Sequence, residues 1–491
     1  ISHCGMCQAF SDAERHLSEA DEALVSDQVD NAVKLYQSGI SALVEDDESL
    51  ITIMSLHSNL GTALSSQGMN KDASVHYKKA ITTYLAQIED IVDNDMLSSA
   101  KDIASQSAFY LGMVYQDSQQ PQLAIQGYKF AIDLNPNHWS AFANMASVLF
   151  DQLKLPEDAL WAYNQVYALL TDMDNDDIER PAHPEPILSQ IQYRIGLCLT
   201  ADDERKCAME DAPDQEIDCQ QMAAHAFSLA LQYDENNEAA KHMLASVTAD
   251  ATVERASNSY IKSLFDEYAS NFEHSLVDEL GYSGYERLRR GFDRALKSTG
   301  ADEQKYRLVV DAGCGTGLVG EQFRNISDTL IGVDLSAVIL QEAETARPGL
   351  YDETIAGDVI EAFEAKKPIS LIVAADSYIY FGDLTPLFDA MSQSLEIGGY
   401  SAFTLENVGI EVEQALAESK PDWRWQLTAS GRFAHRAEYV KDAGTAHGFD
   451  IVHYEPMDGF RFEKGIEVRG HLFVMKKLAV EGTSPDGKDE L

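Results

Sequence analysis

Two stretches in the first half of the chain run in register. Residues 109–137, "FYLGMVYQDSQQPQLAIQGYKFAIDLNPN", carry Leu111, Gly112, Tyr115, Ala124, Tyr128, Ala131 and Pro136. Residues 57–81, "HSNLGTALSSQGMNKDASVHYKKAI", carry Leu60, Gly61, Leu64, Ala73, Tyr77 and Ala80 with the same separations. The apolar positions keep helical spacing on both sides of a polar break, so each unit reads as two antiparallel helices. A helix pair of this size cannot bury its apolar face alone and must stack on its neighbours. Small residues (Gly112, Ala124, Ala131) mark the close approach of the two helices. Leu111 and Tyr128 are expected to fill the gap between neighbouring pairs, and Pro136 to end the second helix. Weaker copies cover about residues 13–44 (Ala20, Ala32, Tyr36) and 140–170 (Ala146, Ala159, Tyr163). A split copy has Ile195, Gly196 and Leu199 on one side of an acidic insertion and Ala223, Phe227 and Ala230 on the other.

This pattern resembles the tetratricopeptide repeat. The resemblance implies an all-α solenoid over residues 1–250, with a concave surface of the kind that takes peptides. A chain of 491 residues needs more than one core. Past a boundary near residues 248–256, apolar runs alternate with amphipathic segments: "RLVVDAG", "TLIGVDL", "ETIAGD", "LIVAADS", "YSAFTLE", "FDIVHYEP" and "GHLFVMKK". That order predicts an α/β doubly wound, Rossmann-like sheet over residues 255–480. Residues 481–491 read as a flexible tail.

The net charge is −44, from 81 acidic and 37 basic residues. Such a surface repels nucleic-acid phosphates and excludes that class of partner. It leaves room for a basic one, a Lys/Arg-rich polypeptide or a polyamine. No apolar run approaches the roughly 18 residues that cross a bilayer, so no membrane insertion is expected. Lys488, Asp489, Glu490 and Leu491 spell the KDEL retention signal, and the chain opens on Ile1 rather than Met. Together these predict a processed resident of the endoplasmic-reticulum lumen, recognised by the KDEL receptor; without that signal the expected compartment is the cytoplasm. In an oxidising lumen Cys4–Cys7 and Cys207–Cys219 are candidate disulfides, with Cys198 and Cys314 left as buried thiols. Asn325, in "NIS", is a glycosylation acceptor. In "DMDNDD" the acids of a calcium loop are spaced correctly, but Asp177 stands where glycine is needed and His183 where glutamate is needed. No metal site is expected.

The stretch "LVVDAGCGTGLVGEQF", residues 308–323, sets Gly313, Gly315 and Gly317 behind Asp311. It follows a strand and opens a helix, which places it at the carboxyl edge of the sheet, where such folds bind ligands. The GK[ST] of a phosphate-binding Walker loop is absent. The glycines do not keep the dinucleotide spacing either, and Asp311 would repel a pyrophosphate. An acid there suits a cationic ligand.

"VVDAGCGTG" resembles motif I of the class I S-adenosylmethionine-dependent methyltransferases. By that resemblance the glycines admit S-adenosyl-L-methionine to the backbone, and Asp311 contacts its amino-acid end directly or through water. Asp334, ending "TLIGVD", would bind both ribose hydroxyls, since a carboxylate offers a paired acceptor to a cis-diol. Asp358, in "IAGDV", would contact adenine N6. The segments "SLFDEYASNFEHSLVDELGY", "LIVAADSYIYFGDL", "GGYSAFTLE" and "SGRFAHRAEYV" are similar to a group of these enzymes that also carries tetratricopeptide repeats. In that group's pattern Tyr268, Phe272 and His274 close over the donor, and Asp376, Tyr380 and Phe381 line the pocket.

The resemblance does not name the acceptor. In-line methyl transfer needs an oriented acceptor and, for an amine or alcohol, removal of a proton. The expected catalytic residues are His435, Glu406, Asp376 and Tyr380, with His435 the favoured base and Glu406 alternatively an anchor for a cationic acceptor. Arg432 would clamp a carboxylate or phosphate, and Tyr439 would orient the acceptor. Two functions remain open: a methyltransferase whose repeats recruit a basic acceptor, or a co-chaperone-like binding module on an inactive methyltransferase fold. The intact Asp311, Asp334 and Asp358 favour the first.

Overall fold

The computed structural model describes residues 2–43, 50–201, 206–209, 212–269, 272–273, 276–277, 281–300, 305–463 and 466–479. The chain divides into two compact units, residues 1–237 and 238–491. The KDEL residues and His274 lie outside the described residues, as do the side chains of Cys4 and Cys7.

The first unit is a run of helical hairpins: α1 (Ser2–Val25) with α2 (Val29–Ala42), α3 (Leu50–Ser66) with α4 (Asn70–Gln87), and α5 (Asn94–Asp117) with α6 (Pro121–Leu134). Then follow α7 (Trp139–Ser147) with α8 (Pro156–Thr171), and α9 (Glu185–Thr200) with α10 (Cys219–Tyr233). Pro121 and Pro156 open their helices, where a missing N–H costs nothing. The repeated glycine has a steric cause. A Cβ at Gly61 would lie 2.7 Å from the Tyr77 ring, one at Gly112 2.6 Å from Tyr128, and one at Gly196 2.4 Å from Phe227. Each aromatic ring therefore crosses its own partner helix. This corrects the expectation for Tyr128, which packs within its hairpin rather than between neighbours. Ala73, Ala80, Ala124 and Ala131 are wholly buried beside these rings.

The acidic insertion carries two short strands. It forms an antiparallel hairpin, β1 (Lys206–Met209) and β2 (Ala212–Asp218), tied to the start of α10 by the Cys207–Cys219 disulfide. Cys198 and Cys314 are free and buried.

The second unit begins earlier than the change of sequence pattern near residue 250. Its first helix, α11 (Glu238–Val247), is held by His242 Nε2 to the Gly431 carbonyl (2.7 Å) and Ser246 Oγ to the Thr428 carbonyl (2.7 Å). After α12 (Asn258–Tyr268) and α13 (Gly284–Thr299) come β3 (Tyr306–Ala312), α14 (Leu318–Phe323), β4 (Ser327–Asp334), α15 (Ala337–Ala346), β5 (Glu353–Ala356) and α16 (Val359–Lys366). Next are β6 (Ile369–Ala374), α17 (Thr385–Ser394), β7 (Leu395–Glu406), α18 (Ile410–Ser419), β8 (Trp425–Leu427) and β9 (Phe433–His435). The unit ends with α19 (Ala437–Ala446), β10 (Phe449–Glu463) and β11 (Ile466–Lys477).

The strand order is β10-β11-β7-β6-β3-β4-β5. The five strands from β7 to β5 pair in parallel; β11 runs antiparallel to both β7 and β10. Alternate residues feed two layers. Val310, Ile331, Ile372 and Phe403 pack with Phe363, Phe388 and Val440 on one face, while Val309, Leu330, Leu371 and Val474 pack with Phe292 and Phe323 on the other. Helices on both faces explain why β6 is buried along its whole length. The chain leaves β3 toward β4 on one side and reaches β6 on the other, and that reversal opens a crevice at the carboxyl ends of β3 and β6.

Candidate active site

The turn after β3 carries three residues with positive φ: Gly313 (71°), Gly315 (52°) and Gly317 (99°). Only glycine adopts these values without steric cost. At Gly313 a second constraint acts, because a Cβ there would sit 2.2 Å from Ser377 Cβ. Gly313 and Gly315 line a cavity in the crevice with about 1080 Å³ of empty space, its mouth included. Gly317 does not line it; its Cα faces Leu350 and Arg347 and opens α14.

Asp334, at the end of β4, lines the cavity. Its Oδ2 accepts the Gly315 N–H and its Oδ1 the Ser336 N–H, both at 3.0 Å. Burial pushes its pKa up, while the N–H groups of Ser336, Gly315 and Leu335 pull it down. These N–H groups do not exhaust the acceptor positions of the carboxylate, which leaves capacity for a ligand hydroxyl. Leu335, Val359 and Ile379 supply apolar wall, and Phe272 packs across Gly315.

Asp311 is wholly buried and does not line the cavity. Its Oδ2 accepts from Tyr351 Oη at 2.7 Å, and burial raises its pKa to about 7. Asp311 was expected to contact the donor directly or through water; it stands behind the lining, with Oδ1 buried and without a hydrogen-bond partner. Asp358 also stands behind the lining. Its Oδ1 accepts the Ile360 N–H (2.8 Å), and its Oδ2 takes the Asn258 amide (2.9 Å) and the Arg255 guanidinium. Arg255, not Asp358, faces the cavity. Tyr268 is 40% exposed and lies off the lining.

Of the expected catalytic residues, Asp376 and Tyr380 line the cavity; Glu406 and His435 do not. His435 is wholly buried on β9, with Nε2 directed at the Gly382 carbonyl (3.2 Å). Burial pushes its pKa down to about 3. A base must reach the acceptor, so His435 is a neutral core residue, not the base. Tyr439 is likewise engaged: its Oη donates to Asp383 (2.9 Å) and accepts the Leu384 N–H (2.8 Å).

Asp376 follows β6 with φ of 58°, a left-handed backbone unusual for a side-chain-bearing residue. Its N–H donates to Thr404 Oγ1 (3.0 Å), its Oδ2 pairs with Arg461, and its Oδ1 is buried without a hydrogen-bond partner. Arg461, on β10, is 1% exposed and also binds Glu406. Arg432 lies 3.6 Å from Glu406, lines the cavity and hydrogen-bonds Tyr380. Sequence reasoning missed Arg461. Its one signal is an arginine between Phe460 and Phe462 in a stretch that otherwise reads as an exposed turn.

Residues 283–454 match a sequence-family model described as a methyltransferase domain. No curated protein matches the chain. Among solved structures, magnesium protoporphyrin IX methyltransferase from Synechocystis PCC 6803, with bound S-adenosylhomocysteine, is 12% identical with a TM-score of 0.33, covering 45% of this chain and 100% of that one. The N-methyltransferase NodS from Bradyrhizobium japonicum WM9 is 16% identical with a TM-score of 0.33, covering 44% and 98%. The tetratricopeptide protein YrrB is 16% identical with a TM-score of 0.31, covering 47% and 91%. The family match falls on the strands and loop that build the crevice, so this segment is similar to methyltransferase domains.

Proposed function

We propose that the chain methylates a basic acceptor, a Lys/Arg-rich polypeptide or a polyamine, and that the repeat unit recruits it. The observation that carries the acceptor reading is the lone Asp376 Oδ1, a buried acceptor atom at the cavity wall that lacks a donor. A buried carboxylate oxygen in that state calls for an incoming N–H.

The residues fit the donor. For S-adenosyl-L-methionine as the donor, Gly313 and Gly315 line the cavity with backbone that carries no side chain, and Asp334 presents oxygens suited to a cis-diol. Phe272 and the apolar walls would exclude water. When bound, the donor supplies an activated methyl on a sulfonium with a neutral leaving group. The chain's part is then orientation and proton handling. Asp376 accepts the amine hydrogen, held by Arg461 on Oδ2 and by Thr404 at its backbone. Tyr380, fixed by Arg432, closes the wall beside it. An amine acceptor passes its proton to Asp376 as the new C–N bond forms.

The acid surface, with 81 acidic against 37 basic residues, draws basic chains, and the hairpin array offers an extended face for them. The Cys207–Cys219 disulfide suits the oxidising lumen expected from the sequence, and we place the chain there. The test is transfer of a deuterated methyl group to a panel of basic peptides, spermidine and neutral alcohols, followed by mass spectrometry. Basic amines should be labelled, and Asp376→Asn should lower the rate about a hundredfold. Labelling of alcohols alone would contradict the reading.

A further inference from the structure

The segment before α12 forms a strap over one end of the cavity. Glu254 O accepts the N–H groups of Gly382 (2.7 Å) and Asp383 (2.9 Å), and Ala256 N–H donates to Tyr380 O (2.9 Å). Residues on both sides of Arg255 are thus bonded to the turn that follows β6. The strap fixes where the Arg255 side chain goes.

That side chain has three fixed features. Its guanidinium lies over the Phe381 ring, 4.2 Å from the centroid. Its Nη2 pairs with Asp358 and donates to Asn258 Oδ1 (3.1 Å). Its Nε is buried and has no hydrogen-bond partner. Arg255 lines the same cavity as Asp334, together with Leu335, Val359 and Ile379. One planar face is therefore spent on Phe381, and Nε is a buried, unpartnered donor on a side chain that lines a mostly apolar cavity.

A guanidinium held this way suits a flat, electron-rich ring with acceptor nitrogens: it offers a stacking surface and a donor together. Asp358 stands behind the lining, with Oδ2 taken by the Asn258 amide and the Arg255 guanidinium and Oδ1 by the Ile360 N–H, so it is Arg255 that meets the cavity. The pKa of Asp358 is held low against the effect of burial by the Ile360 N–H, the Arg255 charge and the Asn258 amide, so it stays the anionic partner of Arg255.

We infer that Arg255 is the purine-recognising residue of the donor site, and that Asp358 is a positioning residue acting through it. The aspartate orients the guanidinium; the guanidinium meets the adenine ring through its free donor and its plane. This rests on the donor assignment above and goes beyond it, since Arg255 lies outside the segment matched by the family model.

The experiment is calorimetric titration of the full chain with S-adenosylhomocysteine, for wild type, Arg255→Ala and Arg255→Lys, with a thermal melt of each. Lysine keeps a charge for Asp358 but has neither a planar face nor an Nε donor in that place. Both variants should bind at least about tenfold more weakly than wild type while melting at a similar temperature. Should Arg255→Ala fail to fold, Arg255→Lys carries the test. Binding as tight as wild type, or tighter, in either folded variant would overturn the inference and leave the donor assignment standing. No binding by folded wild type would overturn the donor assignment and this inference together.

Discussion

Arg461 and Asp376 form an ion pair beneath the cavity, with only 1% of the arginine side chain exposed. The same guanidinium holds Glu406, so one buried cation keeps two carboxylates in place, one in the turn after β6 and one at the end of β7. Removing one partner from a buried pair leaves charge without compensation. Arg461→Met should cost about 3–5 kcal/mol of stability. Adding Asp376→Asn and Glu406→Gln to that variant should recover part of the loss. Urea denaturation of the three proteins checks this.

Gly313 is constrained twice, by φ of 71° and by Ser377. Gly313→Ala should lower stability by about 1–3 kcal/mol, since both strain and overpacking act. Gly68 also has positive φ (74°) but open space around it, so Gly68→Ala should cost less. Thermal melts of the two variants separate the steric term from the backbone term.

Acid should destabilise the fold through neutral histidines. Burial lowers His435 to about 3, and His57 and His471 to about 4. Their folded pKa values lie below the unfolded 6.5, so the native state binds fewer protons between those limits. Their contribution is present above pH 6.5 and is lost as pH falls toward 4 and 3. Asp311, raised to about 7, acts in the opposite sense: the native state holds its proton between pH 4 and 7, so this group favours folding as pH falls through that window. Stability measured from pH 7.5 to 4.5 should fall less steeply in His435→Gln and more steeply in Asp311→Asn.

The strands of the second unit were legible because each is a short apolar run between helical segments. All seven expected strands are present, from β3 to β11. The three-residue β8 and β9 were not, because nothing in "WQL" or "FAH" separates a short strand from a loop. The repeats were legible through Gly61–Tyr77 and Gly112–Tyr128, whose separation is set by ring against helix. The hairpin β1–β2 was hidden by its acidic composition, which reads as solvated loop.

For the site, spacing located the strand ends but not the direction of each side chain. Asp311, Asp334 and Asp358 all end strands or open the following turn, yet only Asp334 faces the cavity. Arg255 and Arg461 come from distant segments, brought in by the strap and by β10, and no local pattern announces them. His435 drew attention by its residue type, but β9 carries it inward, where burial removes its charge.

The central claim is that Asp334 and the glycine loop hold S-adenosylmethionine. Calorimetric titration of the full chain with S-adenosylmethionine and S-adenosylhomocysteine, comparing wild type with Asp334→Ala, tests it most directly. The account predicts saturable one-to-one binding of both ligands by wild type and a loss of about a hundredfold or more in the variant, as a paired hydroxyl acceptor is removed. Equal affinity in a folded Asp334→Ala protein, or no binding by wild type, would contradict it.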